Sequence, residues 1–370
     1  MEKSVSRTGK PRVLLVLHLP PPVHGPSQAG AFLRESALLN DTFRTRYVNL
    51  SGSAKLEEVG HFSVRKILRV FRLFGEVRRV IRAWKPDLVY LTPSATLPGV
   101  LKDAVLAWMV RRMGVRVLLH LHNKGVASSQ DSVLFNALYL MLFRDSHVIL
   151  LSGLLYPDVS RYVPETCVSY LPNGVDVPSV PRTAGPVPRL LFLSNILRSK
   201  GVSVLVDACE VLRGRGIVFH CSMVGALSAD YPGESLAEEI RSKGVDDCID
   251  YLGPRYGNSK WEAFAQADVF VHPTLSDCFP LAVLEAMGTG LPVVTTDEGA
   301  LPEIIRDGVE GLVCPKGDAR VLADALERLV WDTDLRARMG ENARARYLAC
   351  YTQGRFEQRF VEILQQQLHA

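Results

Sequence analysis

The chain has 370 residues, enough for two ordinary domains, and 47% of them are hydrophobic, which is typical of a globular protein. No run reaches the ~18 uninterrupted apolar residues of a spanning helix, and residues 1–11 lack the apolar segment of a secretory signal, so a cytoplasmic protein is expected. The seven cysteines are scattered, and none forms a Cys-x-x-Cys pair, which favours reduced thiols and argues against a zinc site.

The net charge of +4 is unevenly distributed along the chain. Residues 1–180 hold 23 Lys and Arg against 13 Asp and Glu, a balance of +10, whereas the remainder has a balance of −6. The first half is therefore expected to bind an anionic partner or to lie on an anionic surface. No aromatic-interleaved basic motif accompanies this charge, so nucleic acid is not expected as the partner.

The first predicted elements are a buried strand and a glycine-containing loop. Residues 12–17 read as the strand, residues 18–27 as the loop, and residues 28–39 as a helix. Gly25 in this loop would let the backbone approach a ligand closely, although a plain turn is the alternative. Residues 47–50 predict a second strand.

Residues 63–84 predict an amphipathic helix with a strongly basic side. Apolar side chains recur there at helical spacing, and seven Arg and Lys residues occupy much of the remaining surface. Either the basic side is simply solvated while the apolar side packs on a sheet, or it also contacts an anionic membrane.

Two histidines end the strand predicted over residues 115–122. His120 and His122 are two positions apart and so point to the same side of the strand. Each could face a ligand or be a hydrogen-bonded core histidine. The Asn-Gly turn at residues 172–176 and the proline-rich residues 177–188 then predict a domain end and a linker.

A loop that contains Asn195, Arg198 and Lys200 follows the strand predicted over residues 189–193 and opens a helix. Loop cations of this kind are more often only solvated. Residues 335–368 predict a long, basic helical segment at the end of the chain.

Residues 269–297 predict a strand, a loop, a helix from Pro280 to Met287, and a further strand. Such a loop lies at the carboxyl end of a parallel strand, where α/β sheets bind ligands. The helix start suits a phosphate, and Asp277 and Glu285 could accept hydrogen bonds from sugar and ribose hydroxyls. The alternative is an ordinary helix with Asp277 as its N-cap.

The stretch DCFPLAVLEAMGTGLPVV at residues 277–294 resembles the donor signature of the retaining glycosyltransferases of family four, the group 1 glycosyltransferases. The resemblance implies an α/β chain of the GT-B fold, two Rossmann-like domains facing a central cleft. Residues 1–180 would bind the acceptor, residues 181–345 the nucleotide sugar, and residues 346–370 would form a helix crossing back to the first domain.

The same resemblance assigns roles to individual residues. Catalytic roles fall to His122, Asp277 and Lys200, with His120 as the alternative histidine. Donor binding falls to Gly25, Asn195, Arg198, Lys200, Asp277, Phe279, Pro280, Leu281 and Glu285. The chain departs from the family pattern where Asp277 replaces a glutamate, Pro280 a glycine and Asn195 an arginine.

The predicted function is retaining, metal-independent transfer of a hexosyl group from a UDP- or GDP-sugar to a glycan or lipid-linked acceptor in polysaccharide synthesis. No cofactor and no metal are expected. The alternatives are a sugar-nucleotide epimerase of the same fold and a non-catalytic sugar-nucleotide-binding subunit. The protein would be cytoplasmic, with a peripheral position on the inner face of an anionic membrane as a further expectation from the basic first half.

Overall fold

The computed structural model describes residues 9–20, 25–50, 64–183 and 185–369. The chain divides into two compact units. The first comprises Met1–Leu171 and Glu357–Ala370, and the second comprises Pro172–Phe356. The sequence had placed the corresponding boundaries at residues 180 and 345.

The first unit is a parallel six-stranded sheet with the strand order β2-β1-β3-β4-β5-β6. Its strands are β1 (Arg12–Leu17), β2 (Arg44–Asn49), β3 (Leu88–Leu91), β4 (Arg116–Leu121), β5 (Ser146–Leu150) and β6 (Val168–Tyr170). Its helices are α1 (Gly25–Glu35), α2 (Ala37–Thr42), α3 (Val64–Trp84), α4 (Leu97–Arg112), α5 (Val126–Ser129) and α6 (Val133–Phe143). The β3 and β4 strands are almost wholly buried, as expected of parallel strands covered on both faces.

One face of this sheet is covered by α3, α4 and α6. Side chains such as Val77, Ala104 and Leu142 pack in one core cluster with Val89 and Leu119 of the strands. The connections β2–α3–β3, β3–α4–β4 and β4–α6–β5 all run in the same direction across the sheet, and right-handed crossovers then place these helices on one side.

The second unit is another parallel six-stranded sheet, with the order β12-β11-β10-β7-β8-β9. Its strands are β7 (Arg189–Leu193), β8 (His220–Val224), β9 (Ile249–Tyr251), β10 (Val269–His272), β11 (Val293–Thr296) and β12 (Gly311–Cys314). Its helices are α7 (Val202–Gly214), α8 (Gly233–Ser242), α9 (Asn258–Gln266), α10 (Leu281–Gly288), α11 (Leu301–Ile304), α12 (Ala319–Trp331) and α13 (Thr333–Cys350). The last helix, α14 (Gln353–His369), begins in this unit, and its residues from Glu357 onward belong to the first.

Several predicted element boundaries differ from the structure. The helix expected over residues 28–39 is two helices, because Ser36 accepts a hydrogen bond from Leu39 N and so caps a new helix at Ala37. Gly25, expected in a loop, is the first residue of α1, and the loop residues 21–24 before it lie outside the described part of the chain. The helical segment expected over residues 335–368 is likewise split, into α13 and α14.

Candidate functional site

Asp277 lies in the loop between β10 and α10 and is held by three protein groups. Its Oδ2 accepts from Lys200 Nζ at 2.5 Å and lies 3.2 Å from His272 Nε2, while its Oδ1 accepts from Cys278 N at 2.9 Å. A carboxylate offers about four acceptor positions, so about one remains for a ligand hydroxyl.

The charge of Asp277 is strongly stabilised. Burial by itself would raise the pKa of this carboxyl, but the hydrogen bond from His272 and the charge of Lys200 outweigh burial and lower the pKa to about 2. Asp277 is therefore ionised throughout the neutral range, and Lys200 has a permanent anionic partner.

Backbone contacts between two loops bring Lys200 to this position. Lys200 ends the 3₁₀ turn Arg198–Lys200 after β7, and Ser199 O accepts from Leu275 N at 2.8 Å and Ser276 N at 3.0 Å. Gly201 follows with φ +74°, and a Cβ atom there would lie 1.8 Å from Pro273 O. Only glycine therefore allows the two loops to approach this closely.

Glu285 forms a second lysine–carboxylate pair. It lies in α10 with Oε1 accepting from Lys260 Nζ at 2.8 Å, and the Lys260 ammonium lies 4.2 Å from the centre of the Trp261 ring. Burial raises the pKa of the Glu285 carboxyl, and Lys260 opposes that rise. The sequence reading missed Lys260, because a lysine in a helix 25 positions away gives no local signal.

The start of α10 carries no side-chain cap. Its N-cap is Pro280 in an extended conformation, with no side-chain hydrogen bond to the first turn. The expectation that Pro280 opens the first helical turn is therefore off by one residue, and Asp277 is not the N-cap. The first N–H groups of α10, beginning at Leu281, come directly after the loop that contains Asp277 and suit an anion.

Glu298 is a further buried carboxylate beside this loop that sequence reasoning did not identify. It is 4% exposed, its Oε1 accepts from Asp277 N at 3.4 Å, and its Oε2 accepts from Lys316 Nζ at 2.7 Å. Gly299, with φ +58°, follows, and a Cβ there would lie 2.3 Å from Asp277 O. Glu298 and Gly299, which follow β11, therefore contact the backbone of Asp277 and fix the position of its loop.

The other predicted donor residues of this unit occupy different settings. Arg198 is exposed, with Nε donating to Asp230 O at 3.1 Å and its guanidinium 4.9 Å from the Tyr231 ring centre. Asn195 is exposed near the start of the same loop. Phe279 is buried edge-on against Tyr351, with ring centres 6.1 Å apart, so its side chain packs within the unit.

In the first unit, His120 and His122 lie side by side at the end of β4. Their ring centres are 4.0 Å apart, and His120 Nδ1 lies 2.8 Å from the Tyr90 hydroxyl. His120 is fully buried, and its Nε2 has no hydrogen-bond partner among the residues that the structure describes. His122 is only partly buried, which makes it the more accessible of the pair.

Both histidines are neutral near pH 7. Burial lowers the pKa of His122 to about 4, and burial together with the neighbouring His122 lowers the pKa of His120 well below its ordinary value. A neutral His122 can donate or accept a hydrogen bond, but it does not supply a positive charge at neutral pH.

Residues 180–346 match the sequence model of the glycosyl transferases group 1. The amylovoran biosynthesis glycosyltransferase AmsK of Erwinia amylovora is 31% identical over 147 residues, which are 38% of this chain and 35% of AmsK. Matches to the curated relatives cover between 35% and 58% of those proteins' length.

Two solved structures show the fold over nearly the whole chain. Sucrose-phosphate synthase from Thermosynechococcus elongatus superposes with a TM-score of 0.79 at 17% identity, covering 98% of this chain and all of the other. The Anabaena protein Alr3699/HepE, in complex with UDP and glucose, has a TM-score of 0.71 at 17% identity, covering 96% of this chain and 99% of the other. The resemblance seen in residues 277–294 is thereby confirmed: residues 180–346 of the second unit match the group 1 glycosyltransferases, and the fold class of the chain is GT-B.

Proposed function

We propose that this protein is a retaining glycosyltransferase that moves a hexosyl group from a nucleoside-diphosphate sugar to an acceptor. The observation that supports this most directly is the Lys200–Asp277 pair beside the uncapped start of α10, with Glu285 in the same helix. A diphosphate fits a lysine and a helix N-terminus, and a buried carboxylate suits ribose hydroxyls.

In the proposed reaction, Lys200 and the first N–H groups of α10 offset the charge that builds up on the leaving diphosphate. Because these groups are already in place, the protein reorganises little as that charge develops. Neither Asp277 nor Glu285 is assigned as a covalent nucleophile. The anomeric configuration would be retained because the acceptor attacks the face of the sugar from which the leaving group departs. No metal is required in this proposal.

The proposed donor is a UDP- or GDP-sugar, and the proposed acceptor is a polysaccharide or lipid-linked intermediate at an anionic membrane surface. Support for the donor class comes from HepE, whose complexes contain UDP, and support for the acceptor from AmsK, named for amylovoran biosynthesis. The basic balance of residues 1–180 is consistent with an anionic acceptor surface.

Incubation with a panel of UDP- and GDP-sugars tests the proposal. A glycosyltransferase should release nucleoside diphosphate, by transfer to an acceptor or by slow hydrolysis without one. An epimerase would instead return an isomerised donor, and a binding subunit would shift the melting temperature without turnover. An isomerised donor, or binding without turnover, would contradict the proposed transferase function.

A further inference from the structure

The outer side of the three-helix layer α3, α4 and α6 exposes an unusual number of large apolar side chains. Of the ten exposed large hydrophobic residues described in the first unit, eight lie on these three helices, with exposed fractions between 38% and 87%. They are Leu68, Phe71, Leu97, Leu101, Trp108, Val133, Leu134 and Leu140. The inner sides of the same helices already pack on the sheet, so these exposed residues are not part of the hydrophobic core.

Helical spacing gathers these residues into stripes. On α4, residues 97, 101, 105, 108 and 112 recur every three or four positions and end in exposed Arg112. On α6 and its end, residues 133, 137, 140 and 144 do the same and end in exposed Arg144. Both stripes are exposed on helices that pack against each other, and Trp108 of α4 and Leu140 of α6 line the same groove.

Arginines are interleaved with this apolar surface. Six exposed arginines lie on these helices and their ends, against three exposed carboxylates. The arginines are Arg72, Arg78, Arg79, Arg82, Arg112 and Arg144, and the carboxylates are Glu76, Asp131 and Asp145. Two of these carboxylates are already ion-paired, Asp131 with Arg161 at 3.1 Å and Asp145 with Arg144 at 3.4 Å, and the surface stays basic.

An open groove of about 740 Å³ runs between the carboxyl ends of α4 and α6. It is lined by apolar and aromatic side chains, among them Trp108, Leu140, Met141 and Tyr162, together with Arg111, Arg112, Arg144 and Asp145. A lining of apolar and mainly cationic side chains matches the boundary between acyl chains and anionic headgroups of a lipid bilayer.

We propose that this three-helix surface lies on an anionic bilayer, with Trp108, Leu140 and their apolar neighbours inserted among the acyl chains and the arginines at the phosphates. A bilayer has an anionic headgroup layer over an apolar interior, so it can contact the arginines and the apolar side chains of this surface together. A protein partner would need its own pattern of apolar side chains and hydrogen-bond acceptors to match the interleaved arginines. The described part of the chain has no helix long and apolar enough to cross a membrane, so the contact is interfacial.

This surface differs from an attachment by charge alone, which the basic helix at residues 63–84 suggested from sequence. The outward apolar residues add a component that salt does not screen. Binding should therefore weaken at high salt but persist in part.

The test is sedimentation of the full-length protein with vesicles of phosphatidylcholine alone or with phosphatidylglycerol, at low and high salt. The wild-type protein should sediment with the anionic vesicles and keep a measurable fraction bound at high salt. Trp108→Ser should lower the partition coefficient by about ten-fold or more. Trp331→Ser, at an exposed tryptophan of the second unit, is the matched control and should bind as the wild type does.

A charge series separates the two components. Arg72→Glu and Arg79→Glu should each lower binding at low salt by about five-fold or more, whereas Arg320→Glu and Arg338→Glu, exposed in the second unit, should not. Acyl chains brominated near the headgroup should quench tryptophan fluorescence in the wild type, and Trp108→Phe should remove that quenching while retaining binding.

Equal binding of Trp108→Ser and wild type would overturn the proposal, as would the absence of sedimentation with anionic vesicles at low salt. Self-association in solution that Trp108→Ser abolishes, without vesicle binding, would assign the surface to a protein partner instead.

The proposal deepens the proposed function by placing the acceptor at a membrane, but the assay contains no sugar donor. Failure to bind vesicles would therefore leave the donor chemistry untouched, and failure to turn over donors would leave the membrane surface untouched.

Discussion

Both carboxylates of residues 277–294 are ion-paired with lysines of the second unit. Lys200 pairs with Asp277 and Lys260 with Glu285, at 2.5 and 2.8 Å. Because three of the roughly four acceptor positions of Asp277 are occupied by protein groups, much of its effect on a donor would pass through the position of Lys200.

Asp277→Asn should therefore lose sugar transfer by about ten- to a hundred-fold, because it removes the charge that holds Lys200 while keeping the volume. Asp277→Glu retains the charge and should keep much of the activity. Initial rates at subsaturating donor, with circular dichroism to confirm folding, provide the measurement. Near-wild-type transfer by Asp277→Asn would contradict the role given to this pair.

A second prediction concerns Lys260. Lys260→Met removes the cation that opposes the burial of Glu285, so the pKa of Glu285 should rise further. If ionised Glu285 accepts from ribose hydroxyls, the variant should lose nucleotide affinity at a higher pH than the wild type as the solution is acidified. Calorimetry with the free nucleoside diphosphate between pH 5 and pH 8 measures this shift.

Glu285→Ala sets the reference for that experiment, since it should weaken nucleotide binding by about 1.5–3 kcal/mol at neutral pH. Superimposable pH profiles of Lys260→Met and wild type would leave Lys260 as a surface lysine with no part in nucleotide binding.

At the scale of single residues, the sequence could identify those that belong to a local sequence motif. Asp277, Glu285 and Lys200 lie in recognisable loops and helices, and the structure brings Asp277 and Lys200 together across 77 positions. His272, Lys260 and Glu298 could not be identified, because their roles come only from the side chains that the fold places beside them.

At the scale of elements, the loop that contains Asp277 is held by neighbouring loops at the ends of parallel strands. Hydrogen bonds to Ser199 O tie the loop after β10 to the loop after β7, and Gly201 permits the contact. The sequence predicted the strand, loop and helix order here, because parallel buried strands and glycine-bounded helices leave strong local patterns. It could not predict which loop touches which, since that depends on strand order.

Gly201→Ala should disturb this junction. Its positive φ and the 1.8 Å approach of a new Cβ to Pro273 O should cost about 2 kcal/mol or more, which corresponds to a fall of about 4–8 °C in melting temperature. The displaced Lys200 should also bind nucleotide more weakly.

Gly214→Ala is the matched control, since a Cβ at this helical glycine meets nothing within 4 Å. It should leave the melting temperature unchanged or slightly raised. Equal melting temperatures for the two variants would show that the loops can separate without cost.

At the scale of the whole molecule, the sequence predicted two parallel α/β units and the uneven charge between them. It predicted the basic side of α3 but not the apolar outer sides of α4 and α6. An apolar helix such as α6 carries no marker that distinguishes the residues facing the sheet from those facing outward, and only the packed structure separates them. The assignment of the acceptor to the first unit and the donor to the second stays a prediction.

The proposed function requires the second unit to bind the diphosphate of a nucleotide sugar through Lys200. Calorimetric titration of UDP and of GDP into the wild type, Lys200→Met and Lys243→Met tests it most directly; Lys243 is paired with Asp207 and Glu210 elsewhere in the same unit. We expect one nucleotide to bind the wild type and Lys243→Met alike, and to bind Lys200→Met at least about ten-fold more weakly. Binding of neither nucleotide to the wild type, or equal binding to Lys200→Met, would contradict it.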